Sequence, residues 1–458
     1  MLRCVFLLAS LFLVFSCHSF QPQPIPDAAG EIPETFALYT EVPATTAPWW
    51  DAFGSEELTR LIDDALQGSF SLKEAYARLV QVRSMAVQAG AGRYPEVSAT
   101  GSARAERTRS ETTTSGSVGR QIFGLGLTGS YELDLWGRVR SQKEAALLDA
   151  EASKEDLYTA TITVTAEVAD RWIRIISRQR QKLLLEKQLQ NNLTFLELIE
   201  LRFRKAMVSA LDVYQQKQTV ENVRARIPLV EAETQVLLHD LALLLGRAPR
   251  SDLGLKEDTL PYIGMLPPIG LPGDLLANRP DVRSAGIRLE STRWQVAEAR
   301  ANRLPAIRLT AGAQYGGGDF DLLFDTWVVN LAANLTAPLF DGGRRAAEVD
   351  KRRAMAQENL WAYRRTIMTA IKEVEDALVN ETRQREHIQG LIAVREAAQR
   401  GFEEAAQRYR NGLIDYLPVL TQLLAVQELD RNLIDQQAKL ILFRIGLHRA
   451  LGGSRING

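Results

Sequence analysis

The sequence has little of what most enzymes and most disulfide-stabilised proteins depend on. It contains two cysteines, Cys4 and Cys17, and four scattered histidines among 458 residues. No histidine stands at metal-ligand spacing from another histidine or cysteine, and neither a phosphate-binding loop nor a nucleophile elbow occurs. We therefore expect no enzymatic activity, no metal site and no bound cofactor.

A charge imbalance and long apolar runs are also missing. The 55 basic and 56 acidic residues give a formal net charge of -1. Nucleic acid is therefore not an expected partner, because counterion release requires a basic surface. After residue 17, no apolar run is long enough to span a bilayer as a helix. Any membrane-embedded part would have to consist of β-strands.

Residues 1–17 have the pattern of an export signal, with Arg3 before an apolar stretch. The stretch ends in Phe15-Ser16-Cys17, which resembles the lipobox of bacterial lipoproteins, so Cys17 is the predicted lipidation site. The alternative is an ordinary cleaved signal with an incidental cysteine. His18, where an aspartate would favour retention at the inner membrane, favours the outer membrane by analogy with those lipoproteins.

Most of the remaining sequence consists of two similar copies, that is, an internal repeat. Arg408-Tyr409-Arg410-Asn411-Gly412 matches Arg202-Phe203-Arg204-Lys205-Ala206 at an offset of 206 residues, and Asn302-Arg303-Leu304-Pro305 matches Gly92-Arg93-Tyr94-Pro95 at an offset of 210. The difference of four residues falls in a hairpin region, where loops tolerate length changes. We predict a Pro-rich tether at 18–48, a first repeat at 49–270 and a second at 271–458.

Long helices are indicated in both repeats by leucines spaced by threes and fours. The predicted helices are 70–92, 138–204 and 208–246 in the first repeat, and 280–303, 344–410 and 414–452 in the second. A helix of 67 residues would reach about 100 Å, so it requires a coiled coil or a barrel of helices. Pro228 lies inside one helix and is expected to kink or split it.

Four segments alternate apolar or small side chains at odd positions with polar ones at even positions. The predicted strands are 95–107, 121–135, 305–316 and 326–339. The alternation fits a half-buried sheet, and a tilted strand of about 10 residues crosses a bilayer. A small soluble sandwich is the alternative. Charges among the interleaved residues and the export signal favour a membrane barrel.

Four strands are too few for such a barrel. Membrane barrels have at least about eight strands, and closure removes the edges that hydrocarbon does not tolerate. Several chains must therefore contribute. Two chains would supply eight strands, and three would supply twelve.

Several motifs occur in order along the chain. They are Leu275-Leu276-Ala277-Asn278-Arg279-Pro280-Asp281-Val282, Pro338-Leu339-Phe340-Asp341-Gly342-Gly343-Arg344 and Tyr409-Arg410-Asn411-Gly412. Together they resemble the outer membrane efflux protein family, the TolC-like channels, and most closely its lipidated branch that serves RND-type pumps. The resemblance implies an α+β membrane protein. It would be a homotrimer with a 12-stranded outer-membrane β-barrel, four strands per chain, continued by a long periplasmic α-helical barrel.

The resemblance also implies a function. The chain would be the outer-membrane channel of a tripartite efflux system, a passive exit duct for drugs, toxic compounds or metal ions. Its partners would be outer-membrane lipid, a periplasmic adaptor protein and an inner-membrane RND pump. One alternative is a type I protein-secretion duct paired with an ABC transporter. Another is a periplasmic coiled-coil scaffold with a small β domain.

A gate is implied at the periplasmic tip, which rings of aspartate narrow in this family. Asp212 occupies the first aspartate position, whereas Thr421 stands where the family usually has the second. Asp415 is a nearby acid, and Leu417 aligns with a position that can form an apolar constriction. Three carboxylates in a narrow pore would attract cations. The alternative for Asp212 is a helix-capping residue or a solvated helix face.

Adaptor docking is implied at the two tip turns. The residues assigned to it are Lys205, Ala206, Tyr409, Arg410, Asn411 and Gly412. The alternative is a plain helical-hairpin turn, whose basic side chains complement the helix C-termini.

Overall fold

The computed structural model describes residues 19–22, 28–36, 48–108, 118–249 and 252–453. The predicted export signal, Cys17 and much of the tether lie outside these residues. No described helix is long and apolar enough to cross a membrane. The chain divides into two compact units. The first comprises the described residues of Arg78–Lys154 and Ser284–Arg365 with those before residue 31, and the second comprises the other described residues.

Both halves of the chain run through the same order of elements. The first half contains α1 (Glu56–Gly68), α2 (Phe70–Ala91), β1 (Glu96–Thr108), β2 (Val118–Leu133), α3 (Arg138–Arg204) and α4 (Ala210–Leu244). The second half contains α5 (Leu275–Asn278), α6 (Pro280–Ala301), β3 (Ala306–Gly317), β4 (Trp327–Thr336), α7 (Arg344–Arg410) and α8 (Tyr416–Ala450). Helices α3 and α7 have 67 residues each.

The first unit contains one antiparallel sheet in the order β1-β2-β3-β4. A single sheet excludes the two-layer sandwich for the described residues. Every residue of β4 is exposed, including Leu331 at 82% and Leu335 at 68%. Exposure of this much apolar surface on one strand indicates a surface that meets something other than water.

Each hairpin passes into its long helix through a capped corner. The carboxylate of Asp134 accepts hydrogen bonds from the backbone N–H of Val139 at 2.9 Å and of Arg140 at 2.8 Å. In the second half, Asp341 accepts from Arg345 N–H at 3.2 Å. These acids satisfy N–H groups that have no partner inside the helix and lie at its positive end.

The second unit is built around Trp172 of α3, which is fully buried. Its indole Nε1–H donates to Glu57 of α1 at 2.8 Å. Ser55 caps α1 by accepting from Leu58 N–H at 3.0 Å, and Leu58 and Leu61 enter the same apolar cluster. The core therefore joins a short N-terminal helix to one of the long helices.

Helix α4 continues through Pro228. Pro228 therefore does not split this helix, and the predicted kink stays a prediction. Pro228 and its neighbours Arg224 and Leu229 are exposed. The carbonyl that loses its intrahelical partner is therefore open to water, which removes most of the cost of an unpaired buried group.

Three predicted boundaries shift for local reasons. Ser209 and Asp415 are N-cap residues, so α4 and α8 each begin two residues after the predicted start. Strand β4 ends at Thr336, before the predicted 339. Pro338 follows it and has no backbone N–H to donate to a sheet.

A buried ion pair holds the segment between the two halves against α7 and α8. Arg444 donates to both carboxylate oxygens of Glu381, at 2.6 and 2.9 Å, and to the carbonyl of Met265 at 2.8 Å. Both charged side chains are almost completely buried. Burial alone would raise the pKa of Glu381, but the guanidinium groups of Arg444 and Arg385 hold it below its usual range.

His448 lies buried beside this pair, with its ring stacked on Trp49 at 5.4 Å. Burial, together with the charge of Arg444, lowers the pKa of His448 to about 4, whereas nearby Glu381 opposes the shift. Its Nε2 has no hydrogen-bond partner among the described residues. The neutral ring is therefore the form that the fold accommodates.

This burial predicts a pH dependence of stability. The unfolded chain binds more protons than the folded one between pH 6.5 and 4, so the contribution is present above pH 6.5 and is lost toward pH 4, by up to about 1.4 kcal/mol per pH unit. His448→Phe keeps a ring against Trp49 and removes the titration. We expect its thermal unfolding midpoint in detergent to fall less between pH 7 and 4.5 than that of the wild type. Equal slopes would contradict this assignment.

Candidate functional site at the helical tip

The two tip turns, between α3 and α4 and between α7 and α8, have the same backbone geometry. Met207 N–H donates to the carbonyl of Arg202 at 2.9 Å, and Leu413 N–H donates to that of Arg408 at 2.9 Å. The residue in the left-handed conformation is Ala206 in one turn and Gly412 in the other. Both turns are therefore the common glycine-type helix C-cap, with alanine in the glycine position of the first.

Asp212 takes part in a capping box at the start of α4. Its Oδ2 accepts from the backbone N–H and the hydroxyl of Ser209, both at 2.9 Å, and its own N–H donates to the Ser209 hydroxyl at 3.3 Å. The side chain is half-buried. The carboxylate therefore has a structural partner within its own helix, as the capping interpretation expects.

The second tip helix begins differently. Asp415 is the N-cap of α8, but its exposed side chain accepts no capping hydrogen bond. The third helical residue is Pro418, which has no N–H to offer. The acid in this turn is consequently not tied to the helix backbone, unlike Asp212.

Leu417 and Thr421 lie one turn apart on the same face of α8. Leu417 is 55% exposed, and Thr421 is also exposed. The Thr421 hydroxyl donates to the Leu417 carbonyl at 2.9 Å. Both side chains are available to a neighbouring surface, but the hydroxyl proton of Thr421 is already used.

Tyr409 does not lie on the tip surface. It is 7% exposed, the guanidinium of Arg202 covers its ring at 4.4 Å, and its ring centroid is 5.5 Å from that of Tyr416. Tyr409 was predicted to contact the adaptor; its ring is instead buried in this chain, and the contact itself stays a prediction. Its position two residues before the turn directs it into the apolar cluster that α3, α4, α7 and α8 share.

Below this cluster, buried amides link the tip helices. Tyr416 donates to Gln216 at 2.6 Å, Gln216 donates to the carbonyl of Asn192 at 2.7 Å, and Asn192 and Gln427 bond each other through their side chains. Burial, reinforced by Tyr409 and Asp212, raises the pKa of Tyr416. The phenol is therefore neutral and donates its proton.

The remaining predicted docking residues are exposed: Lys205, Ala206, Arg410, Asn411 and Gly412. Beside them lie apolar side chains that the sequence analysis did not select. Met207 and Leu413 are 64% and 70% exposed, and Leu211 is 64% exposed. Met207 and Leu413 occupy equivalent positions at the offset of 206, as do Leu211 and Leu417. That repeated apolar pair was a signal available from the sequence.

The motif that opens the second half has a structural role. Arg279 is buried and binds Asp281 at 2.6 Å, Glu373 of α7 at 2.8 Å and the last carbonyl of α8, Ala450, at 2.9 Å. One guanidinium thus ties the start of α6 and the end of α8 to the middle of α7. Among the described residues, no group of three or more His, Cys, Asp or Glu side chains is arranged to hold a metal ion.

The unequal turns predict opposite effects of exchanging alanine and glycine. Ala206→Gly should raise the thermal unfolding midpoint, because a Cβ in the left-handed region costs about 1–2 kcal/mol. Gly412→Ala should lower it for the same reason. Ala397→Gly, at an exposed helical position of α7, is the control. It should also lower the midpoint, because glycine in a helix lowers the free energy of unfolding by about 1 kcal/mol. If Ala206→Gly destabilises as much as the control, the strain is absent.

Comparison with known proteins agrees with this architecture. The chain is 32% identical over 421 residues to the pyoverdine export outer membrane protein OpmQ of Pseudomonas aeruginosa, covering 88% of this chain and 87% of that one. It is 30% identical over 409 residues to the solvent efflux pump outer membrane protein SrpC of Pseudomonas putida, covering 88% and 86%. The outer-membrane channel OprN superimposes with a TM-score of 0.85 at 26% identity, over 94% of this chain and 97% of that one.

A family model also matches most of the chain, in two segments. Its description is outer membrane efflux protein, and it matches residues 61–247 and 271–453. Each segment contains a hairpin, a 67-residue helix and a tip turn. The chain belongs to the outer membrane efflux protein family.

Proposed function

We propose that this chain is the outer-membrane duct of a tripartite efflux system and works as a homotrimer. The observation that carries the proposal is the open four-stranded sheet, apolar on one face, whose hairpins each continue into a 67-residue helix. Three copies give a 12-stranded membrane barrel. Their six 67-residue helices and six 35-residue helices, α3, α7, α4 and α8 of each chain, give a periplasmic helical barrel of twelve helices. Two internal repeats in each chain make six similar units around the ring.

The sheet supports a membrane location. Its odd-numbered face exposes large apolar side chains, with Val97 at 70%, Leu127 at 56% and Leu331 at 82%. Its even-numbered face carries small and polar residues such as Thr128 and Asn334. Apolar-out and polar-in alternation is the pattern of a barrel around a water-filled channel. Lipidation at Cys17 would add a second attachment to the outer membrane.

The cargo that we propose is a small molecule. The relatives described above are named for export of pyoverdine and for efflux of solvents. Their names favour small-molecule efflux over protein secretion. We propose an RND-type pump as the inner-membrane partner, with an ABC transporter as the alternative. The pump selects the cargo, and the duct conducts it passively.

Docking to a periplasmic adaptor is assigned to the tip turns. Two equivalent apolar pairs lie on this surface, Met207 with Leu211 and Leu413 with Leu417. The exposed cations Lys205 and Arg410 flank them. An apolar centre with a charged rim is the usual composition of a protein interface.

The gate is assigned to the start of the tip helices. Asp212 and Leu417, each present three times in a trimer, would narrow the channel, with Asp415 as the acid of the second turn. Thr421 contributes a neutral side chain on the same face as Leu417. The carboxylates give the closed tip its cation preference.

This assignment predicts separable effects on conductance and on stability. Asp212→Asn keeps an acceptor for Ser209 and removes the charge, so it should lower the potassium-over-chloride permeability ratio in planar bilayers. About 1 kcal/mol per carboxylate at 4 Å in water corresponds to roughly a five-fold change. Ser209→Ala weakens the cap by about 1 kcal/mol but keeps the charge, so the ratio should not change. An unchanged ratio in Asp212→Asn excludes Asp212 from the gate.

The docking assignment predicts a loss of adaptor binding without a loss of channel formation. A double variant, Met207→Asp with Leu413→Asp, places charges in the apolar centre of the surface and should weaken binding of the cognate adaptor by tenfold or more, at about 1–3 kcal/mol per buried charge. Met265→Asp is the matched control, since Met265 is 87% exposed in the segment between the two halves. Equal binding by both variants, measured by biolayer interferometry, would contradict the assignment.

The function as a whole is tested by purification from membranes. We expect extraction only by detergent, a native mass of three chains, and ion-conducting channels after reconstitution. Release by high salt alone would overturn the duct, because a barrel in hydrocarbon does not respond to ionic strength.

A further inference from the structure

The turn between β3 and β4, residues 318–326, folds back along the sheet instead of extending beyond it. It contains a short 3-10 helix, Phe320–Leu322. Gly316 N–H donates to the Thr326 carbonyl at 3.1 Å, so the two strands remain paired up to the turn. Within the turn, Asp325 N–H donates to the Leu322 carbonyl at 3.2 Å. The segment is therefore a compact turn with its own hydrogen bonds.

Gly317 shows on which face of the sheet this turn lies. It stands opposite Phe123 in the ladder, so a Cβ atom at Gly317 would point to the same odd-numbered face as the Phe123 ring. Such an atom would lie 2.6 Å from the carbonyl oxygen of Leu322. The backbone of the turn thus packs on the odd-numbered face, in space that only glycine leaves open.

Two aromatic contacts hold the turn on that face. The ring of Phe320 meets that of Phe123 on β2 edge-to-face, with centroids 5.7 Å apart. The ring of Phe324 meets that of Tyr315 on β3 at 5.4 Å. Edge-to-face pairs at these distances are favourable. Leu323 is buried beneath the turn, so the fold of this segment is set by contacts with the apolar face.

The turn nevertheless leaves much apolar surface uncovered. Phe320 is 69% exposed, Phe324 is 63% exposed, and Leu322 is 49% exposed. Trp327, where β4 begins, is also exposed. This surface continues directly into the exposed apolar side chains of the odd-numbered face, such as Leu331. A continuous apolar patch of this kind indicates contact with an apolar partner.

The position of the turn identifies that partner. The turn leans from β3 toward β2, where Phe320 meets Phe123, and thus away from the edge strand β4. A second copy placed at that edge would not cover it. The turn does not cover the even-numbered face either, because Gln314 and Val328 remain exposed there. The apolar neighbour that remains on the odd-numbered face is lipid.

Charge and strand length set the depth of the turn. Asp319, Asp321 and Asp325 are all exposed, and residues 318–326 include no lysine or arginine. Carboxylates are costly in hydrocarbon, so they belong at the level of the head groups. The 10 residues of β4, tilted by about 45°, span about 23 Å, close to the apolar band of about 25 Å. Trp327 therefore lies at the margin of the band.

We propose that the β3–β4 turn anchors each copy in the outer leaflet of the membrane. Leu322 and Phe324 lie among the acyl chains just below the head groups, and the three aspartates lie at head-group level. This proposal rests on the proposed function, in which the odd-numbered face meets lipid. Residues 109–117, between β1 and β2, include no aromatic or branched aliphatic residue. The anchor therefore belongs to the second hairpin, and its turn lies beside the barrel, not over the exit.

Depth-dependent fluorescence quenching tests the anchor in the full-length protein. Leu322→Cys and Phe324→Cys are labelled with bimane and reconstituted in phosphatidylcholine vesicles, with spin-labelled phosphatidylcholine that carries its nitroxide near the head group or near the chain end. Both positions are exposed, so the label displaces no packed side chain. We expect a loss of fluorescence mainly with the shallow nitroxide, and little loss with aqueous iodide.

The matched control is Val328→Cys, at the same end of β4 but on the opposite face and 58% exposed. It should lose fluorescence with iodide and not with either lipid. The unsubstituted chain, labelled in the same way, measures any background from Cys17.

Leu331→Cys, in the middle of β4 on the odd-numbered face, separates this proposal from the proposed function. We expect it to be quenched mainly by the deep nitroxide. If Leu331→Cys is quenched by lipid while Leu322→Cys and Phe324→Cys respond only to iodide, the anchor is overturned and the membrane-spanning sheet stands. Stronger quenching of the turn by the deep nitroxide contradicts the assigned depth. If Leu331→Cys responds only to iodide, the proposed membrane sheet itself is overturned.

Discussion

Unpaired backbone N–H and C=O groups at the sheet edges govern much of what this fold requires. Among the described residues, β1 and β4 are the two edge strands of the sheet, and its odd-numbered face is mostly apolar. Water can satisfy the edges only if the apolar face is left in water, and lipid can cover the face only if the edges are paired. A second copy of the same sheet meets both requirements.

The 67-residue helices also need partners along their length, because each has many side chains that pack against neighbouring helices. Buried amides meet part of this need. Gln188 donates to the carbonyl of Gln427 at 3.0 Å, and Asn192 and Gln427 bond each other. An apolar seam tolerates sliding between helices, whereas a buried amide that loses its partner is costly. These residues fix α3 against α8 in one register, close to the tip where function is proposed.

The two tip turns occupy equivalent places in the repeat but differ in their side chains. Their backbones share one C-cap geometry, with Ala206 strained where Gly412 is not. The acidic residues of the two turns differ in their hydrogen bonds. Asp212 is held by Ser209, whereas Asp415 precedes Pro418 and is not held by its helix. A proposed gate made from both turns therefore combines one carboxylate that is held in a capping box with one that makes no capping hydrogen bond.

Motifs and periodicity were enough to predict the family, the predominance of helix, the four strands of the described sheet and the acids and cations of the two tip turns. Periodicity and short motifs carry such information, because they depend on residues close together in the chain. Tertiary structure decided which of the tip residues are accessible. Tyr409 is an aromatic residue beside a tip turn, which suggested a contact residue. Its ring is covered by Arg202, which lies about two hundred positions away in the sequence. Pro228 was expected to kink or split α4, yet the helix is continuous through this exposed position. The strand register likewise became available only when pairs were observed, because alternation identifies the faces of a strand but not its partner.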